Sequence, residues 1–221
     1  MKRIFVFGDS NSWGYTDEDD GHRFEERWPI SLKTFLREMG LHVDIIEDCL
    51  PGRTTNIDDA QDGSHLNGAK VLMSSLLAHS PIDLVIIMLG TNDLKIRFQR
   101  TPEAIAEGIK ELINIVKNTN SGPGGWHDQN KSDLFIICPP SLNIKANDTN
   151  WIKFNEWENG LDKSTILYDS LKKVCEENNV FLFDSNLIIQ SSTLDPIHWS
   201  KKTHKIFAKK IAELIKYQIK L

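Results

Sequence analysis

A serine, an aspartate and a histidine are the residues of this sequence whose types and neighbours are best suited to catalysis. Ser10 follows a glycine and Asp9 directly after a short apolar run, and a serine there can act as a nucleophile if a base is near. His198 follows Asp195 by three residues, with Pro196 between them, so one loop supplies a base and the carboxylate that fixes its tautomer. Each also has a plainer interpretation: Ser10 could cap a helix or grip a phosphate, and His198 could cap the helix that follows it.

Two other loops could supply hydrogen-bond donors to a developing oxyanion. Asn92 lies in the segment Gly90-Thr91-Asn92-Asp93, and its side-chain amide can donate to negative charge on a substrate oxygen. Gly52 lies in the segment 50–56, where a glycine lets the backbone approach a ligand and present its N–H. Taken alone, each segment is more often an ordinary turn.

The elements that must position these residues alternate along the chain. Apolar runs predict strands at 4–7, 43–46, 84–89, 134–138 and 180–183. Because apolar residues at helical spacing lie between these runs and after the last one, we predict a parallel sheet with helices on both faces. Five strands favour the flavodoxin-like order 2-1-3-4-5, in one three-layer α/β domain over residues 1–221. In that order the loops with Ser10 and Asn92 border the point where ligands bind.

Composition excludes several classes of protein. The chain has 221 residues, with 26 Lys and Arg against 31 Asp and Glu and a net charge of −5, which argues against a dedicated nucleic-acid-binding protein. Its length suffices to bury a core without disulfides or a structural metal. Lysines are concentrated in 201–221, where seven of them and one glutamate give +6. We interpret this run as the solvated face of a last helix and expect His204 at the surface there.

The cysteines, histidines and termini predict a cytoplasmic protein without metal, organic cofactor or membrane partner. The cysteines Cys49, Cys138 and Cys175 are odd in number and form no CxxC pair, so neither a disulfide framework nor a cysteine zinc site is indicated. No histidines show metal-ligand spacing. The apolar run 4–7 is too short for a signal peptide, and the run 84–89 is far below the roughly 20 residues of a membrane span. Three segments, 11–27, 119–132 and 141–160, carry no clear pattern of strand or helix.

Taken together, these residues resemble the SGNH (GDSL) hydrolases. The matching blocks, in the order that the family has them, are Gly8-Asp9-Ser10, Gly52, Gly90-Thr91-Asn92-Asp93 and the pair Asp195 and His198. The segments 53–59, 66–69 and 83–93 further resemble the bacterial arylesterase/acyltransferase branch of this family. Asn11 stands where the family often has leucine, a departure that concerns the shape of the acyl pocket and not the chemistry.

The resemblance implies a serine esterase that hydrolyses short-chain, acetyl-type carboxylic esters through an acyl-enzyme, with acyl transfer to alcohols or peroxide as a second outcome. It implies Ser10 as nucleophile, His198 as base and Asp195 as the group that orients the base. The oxyanion hole would comprise the N–H groups of Ser10 and Gly52 and the side chain of Asn92. The partner is then a small-molecule ester, and the resemblance also implies a homo-oligomer.

Other residues are predicted to surround the chemistry rather than perform it. Asp9 and Asp93 are expected to brace the catalytic loops. The residues expected to line a channel to Ser10, for each of which ordinary packing is an equal alternative, are Trp13, Tyr15, Lys95, Phe154 and Ile197.

Other functions fit part of the pattern. A flavodoxin-like module could grip the phosphate of a flavin with residues 10–14 and use no serine catalysis, and it would purify as a yellow protein. A phosphatase could use Asp9 as the phosphoryl acceptor, although such an enzyme normally carries a second aspartate where this chain has Asn11. A catalytically dead homologue is disfavoured because every residue that the chemistry requires is present.

Overall fold

A computed structural model describes residues 1–18 and 21–219. Within these residues, parallel strands form one sheet in the order β2-β1-β3-β4-β5, which confirms the predicted fold class. The strands are β1 (Lys2–Gly8), β2 (Val43–Cys49), β3 (Leu84–Met88), β4 (Asp133–Cys138) and β5 (Phe181–Asp184). Each strand predicted from the sequence overlaps one of them.

Helices cover both faces of the sheet. They are α1 (Ser10–Trp13), α2 (Trp28–Glu38), α3 (Gly68–His79), α4 (Pro102–Asn118), α5 (Phe154–Trp157), α6 (Gly160–Glu177) and α7 (Lys201–Leu214). Helices α2 and α7 pack on one face, and α3, α4 and α6 pack on the other. Among the described residues, no helix has both the length and the apolar character needed to cross a membrane.

Alternation of side chains along the strands explains the two apolar cores. In β1, Ile4 and Val6 face α2 and α7, whereas Phe5 and Phe7 face the opposite layer. All five residues of β3 are buried, as expected for a central parallel strand covered on both sides. Because both faces are filled with apolar side chains, polar chemistry is confined to the loops at the edges of the sheet.

The two one-turn helices overlap segments in which the sequence shows no clear pattern of helix or strand. Helix α1 falls at the start of 11–27 and α5 falls within 141–160. A single turn is too short to show the apolar periodicity by which longer helices are found. The start of α4, by contrast, has the signature that predicts it: Thr101 Oγ1 accepts a hydrogen bond from Ala104 N at 3.2 Å, and Pro102 follows in the first turn.

The expectation that His204 lies at the surface is wrong. His204 is fully buried on the inner face of α7, and its Nδ1 accepts a hydrogen bond from Trp28 N at 3.2 Å. Burial lowers the pKa of His204 to about 4, so the imidazole is neutral in this core. The spacing of His204 from Phe207, Ala208 and Ile211 places it on the same apolar stripe of α7. This spacing predicts burial, although lysines lie next to His204 in the sequence.

Candidate active site

Ser10 begins α1 at the carboxyl end of β1. Asp9 caps this helix, because its Oδ1 accepts a hydrogen bond from Asn11 N at 3.0 Å. As the first residue of a helix, Ser10 has an N–H without an acceptor inside the helix. A Cβ at Gly8 would collide with the Ser12 side chain, so glycine permits the tight passage from strand to helix. Ser10 is therefore held by a rigid turn, with a backbone donor beside its hydroxyl.

His198 connects Ser10 to Asp195 through both ring nitrogens. Its Nε2 lies 3.0 Å from Ser10 Oγ, and its Nδ1 lies 2.7 Å from Asp195 Oδ2. Asp195 Oδ1 accepts a hydrogen bond from Ile197 N at 3.1 Å, which holds the carboxylate in place. Partial burial favours a higher pKa for Asp195, but the hydrogen bond and charge of His198 outweigh it and hold the pKa below its ordinary value of 3.8. The ionised carboxylate can thus fix the tautomer of His198 and stabilise its charged form.

Two residues of the N-terminal segment hold the histidine loop. The Tyr15 ring stacks on His198 with 4.1 Å between ring centroids. Asn11 is buried, and its Nδ2 donates a hydrogen bond to Ile197 O at 3.2 Å. Asn11 therefore positions the loop of His198 instead of shaping an acyl pocket.

Gly52 and Asn92 bring two further donors to the same edge of the sheet. Gly52 has a φ of 85°, in the left-handed region that favours glycine. Within residues 1–18 and 21–219, no protein group accepts a hydrogen bond from its N–H. Asn92 Nδ2 donates one of its hydrogens to Arg53 O at 3.2 Å, which fixes the amide and leaves a second N–H on the same nitrogen. Together with the Ser10 N–H, these donors can stabilise an oxyanion.

Asp93 braces the loops that carry Gly52 and Asn92. Its carboxylate is fully buried and accepts hydrogen bonds from Thr55 N at 3.0 Å and from Thr55 Oγ1 at 2.6 Å. Arg100 Nη1 lies 2.6 Å from the same carboxylate and balances its charge. The loop after β3 is thereby tied to the loop after β2, which fixes the spacing between the two donors.

These groups open into a cavity of about 170 Å³. Its lining residues are Ser10, Tyr15, Pro51, Gly52, Asn92, Lys95, Lys153, Glu156, Trp157, Ile197 and His198. The arrangement offers a nucleophile, a base with its orienting carboxylate, and donors for an oxyanion, which are the parts that acyl transfer requires.

The family model of the GDSL-like lipases and acylhydrolases matches residues 4–211. The chain belongs to this family. Membership makes it a carboxylic ester hydrolase and favours ester hydrolysis over the flavin-binding and phosphatase alternatives.

Solved structures similar to this GDSL hydrolase include two esterases. The aryl esterase of M. smegmatis is 36% identical, with a TM-score of 0.87, and the match covers 98% of this chain and 99% of that chain. Est24, a carbohydrate acetylesterase from Sinorhizobium meliloti, is 31% identical with the same TM-score and the same coverage. A lipase/acylhydrolase from Enterococcus faecalis, 19% identical with a TM-score of 0.66 over 98% of this chain and 96% of its own, shares the fold. Among curated protein sequences, none matches the chain.

Of the side chains predicted to line a channel in this GDSL hydrolase, the structure brings Tyr15, Lys95 and Ile197 to the cavity. Among the described residues, Trp13 and Phe154 do not line it. The Arg23 guanidinium carbon lies 5.4 Å from the centroid of the Trp13 ring.

Lining residues that the sequence did not reveal come mainly from α5 and the residue before it. Lys153, Glu156 and Trp157 are spaced by three and four residues, so they share one face of a helical turn. Phe154 begins the same turn, but it is not among the lining residues. The spacing of these three residues matches one face of a helix. The segment 141–160 shows no longer helical pattern, so the sequence alone does not indicate that they lie together.

Asp9 is the buried carboxyl closest in sequence to the nucleophile. Burial raises its pKa from 3.8 to about 7, against the opposing hydrogen bond from Asn11 N. Between about pH 4 and pH 7 the folded state therefore holds a proton that the unfolded state releases. The contribution of Asp9 to the free energy of unfolding therefore falls as the pH rises through this window, since the proton binds more tightly to the folded state.

Substitution Asp9→Asn should remove this loss of stability. We expect the free energy of unfolding of the variant, relative to wild type, to increase by about 3 kcal/mol between pH 4.5 and pH 8, because a neutral amide has no charge to desolvate. Urea unfolding at both pH values measures the difference. Asp169→Asn, on an exposed helical position, should keep the pH dependence of wild type. Parallel pH profiles for wild type and Asp9→Asn would contradict the expectation.

Proposed function

We propose that this GDSL hydrolase is a serine esterase that hydrolyses short-chain, acetyl-type carboxylic esters through an acyl-enzyme. One observation carries the proposal. An unbroken chain of hydrogen bonds, 3.0 Å and 2.7 Å long, joins Ser10 Oγ through His198 to Asp195 Oδ2 and ends at a cavity with oxyanion donors.

In the proposed reaction, His198 Nε2 takes the proton of Ser10 Oγ while that oxygen attacks the ester carbonyl carbon. Asp195 stabilises the imidazolium that forms. The carbonyl oxygen becomes an oxyanion and accepts hydrogen bonds from the N–H groups of Ser10 and Gly52 and from Asn92 Nδ2. When the C–O bond of the ester breaks, the alcohol leaves with the proton from His198.

The acyl-enzyme is then resolved by a second attack. His198 takes a proton from water as the water oxygen adds to the acyl carbon, and the proton returns to Ser10 Oγ as the acid leaves. An alcohol or peroxide in place of water would give acyl transfer with the same proton movements. The partition between these outcomes depends on which acceptor reaches the acyl carbon, and an added alcohol would measure it.

The size of the cavity supports a short acyl group. Its volume of about 170 Å³ is below the roughly 300–1,000 Å³ of sites for larger ligands, and Tyr15, Trp157 and Ile197 wall it with bulky side chains. The similar structure named a carbohydrate acetylesterase agrees with an acetyl ester as substrate, and the one named an aryl esterase agrees with an ester of a phenol.

A series of p-nitrophenyl esters tests the acyl specificity. We expect kcat/KM to fall at least tenfold from the acetate to the octanoate, because a long acyl chain must displace packed side chains at a cost of about 1.4 kcal/mol or more. Release of p-nitrophenol measures the rates. Equal values across the series, or a preference for octanoate, would refute a short-chain esterase.

The homo-oligomer implied by the family resemblance stays a prediction, which light scattering of the purified protein can measure.

A further inference from the structure

Charged side chains occupy one side of the active-site cavity. Lys95, Lys153 and Glu156 all line it. The Glu156 carboxylate is shared by two cations, since its Oε1 lies 3.2 Å from Lys95 Nζ and 2.8 Å from Arg97 Nη1. Arg97 also contacts Asp59, outside the lining, at 2.5 Å. Glu156 thus belongs to a local ionic network, and among the described residues no ion pair joins it to Lys153.

Lys153 is bound less closely than Lys95. Its ionic contact within the described residues is to Asp195 Oδ2, at 3.8 Å, which is longer than a hydrogen bond. Asp195 already accepts hydrogen bonds from His198 Nδ1 at 2.7 Å and from Ile197 N at 3.1 Å. The Lys153 ammonium carries three donors, and a carboxylate in the cavity would offer them shorter, charge-assisted bonds than Asp195 does.

The exposure of these side chains indicates which part of the substrate would meet Lys153. Ser10 is 6% exposed, so the acyl group that it accepts lies in the enclosed part of the site. The Lys153 side chain is 39% exposed, at the solvent side of the same cavity. The alcohol part of an ester leaves toward solvent, so it is the part that can reach the Lys153 ammonium.

We propose that Lys153 binds an anionic group on the alcohol part of the substrate, so that the preferred substrates are acetyl esters of alcohols or phenols that carry a carboxylate. Lys95 adds positive charge to the same lining. This inference rests on the proposed esterase function and specifies its substrate class. Lys153 is then a specificity-determining residue and takes no part in proton transfer.

A matched pair of substrates tests the proposal: 4-acetoxybenzoate and its methyl ester. Both release acetate and a phenol, and they differ in the charge at one position. We expect the ratio of kcat/KM for the anion to kcat/KM for the neutral ester to fall about fivefold in Lys153→Met, as for the loss of one partly exposed ionic contact. Lys153→Arg should retain most of the ratio. Lys172→Met, which removes an exposed lysine with a similarly long contact of 3.9 Å to Glu176, should leave it at the wild-type value.

Comparing this ratio between variants cancels the different reactivities of the two leaving groups. Raising the ionic strength should move the wild-type ratio toward that of Lys153→Met, because salt screens a solvent-exposed charge. If Lys153→Met lowers kcat/KM for both esters by the same factor, Lys153 acts only on Asp195 and the proposal is refuted. If wild type hydrolyses neither ester, the proposed esterase function itself is refuted. This outcome is distinguishable from a failure of the Lys153 proposal alone, in which wild type is active.

Discussion

Alanine at Ser10 should lower kcat for p-nitrophenyl acetate by at least three orders of magnitude and leave the fold intact. In the proposed mechanism Ser10 Oγ forms the acyl-enzyme, and this oxygen is hydrogen-bonded to His198 Nε2 at 3.0 Å. Without it, the oxyanion donors and the base remain, so only a weak attack by water persists. Removing a small hydroxyl at a helix start leaves no cavity of consequence.

Initial rates, thermal melting and labelling by a fluorophosphonate probe measure this prediction together. The probe should modify wild type on Ser10 and leave Ser10→Ala unlabelled. Ser12→Ala is the matched control: Ser12 Oγ is buried and accepts a hydrogen bond from Trp28 Nε1 at 3.2 Å, away from the cavity lining. Its loss should cost stability of about 1–2 kcal/mol and change kcat less than threefold. An Ser10→Ala protein as active as wild type would exclude serine catalysis.

Asn92→Ala should lower kcat by about 100- to 1,000-fold with a much smaller change in KM. An oxyanion donor contributes roughly 3–4 kcal/mol to the transition state, because it meets full negative charge only there. Asn92 is held for this purpose by its hydrogen bond to Arg53 O at 3.2 Å. In the ground state the carbonyl oxygen carries little charge, so substrate binding loses little.

Steady-state kinetics with the same ester distinguishes the two roles that Asn92 could have. Asn92→Asp keeps the size of the side chain but places negative charge near the oxyanion, so it should be at least as inactive as Asn92→Ala. Asn118→Ala, at an exposed helix end, should behave as wild type. A rise in KM at unchanged kcat would mean that Asn92 binds the substrate and not the transition state.

The fold could be predicted because the strands are recognisable in the sequence as short apolar runs. The run 84–88 is apolar at every position, as a strand buried on both faces must be, and helical spacing fills the intervals between such runs. The sheet order then brings the carboxyl ends of β1, β2 and β3 to one edge. Ser10 and Asn92 could be placed together on that basis alone, before any distance was known.

The walls of the site could not be predicted in the same way. Lys153, Glu156 and Trp157 reach the cavity from a single helical turn, which has too few residues to show a period. The prediction that His204 lies at the surface was wrong for another reason. Lysines flank this residue in sequence, whereas its neighbours in space are Trp28, Phe24 and Trp199. Contacts across the fold decided its burial, and local composition does not report them.

The distance along the chain between nucleophile and base has a consequence for biosynthesis. Ser10 and His198 are separated by 188 positions, and they meet because Asn11 contacts Ile197 and because Asp17 N donates to Trp199 O at 3.1 Å. Ser10 precedes His198 in the order of synthesis, so it has no proton acceptor until the segment 195–198 has been made and has folded against residues 11–17. The proposed esterase activity therefore reports that these two segments have met, and fragments that lack the 195–198 loop should be inert.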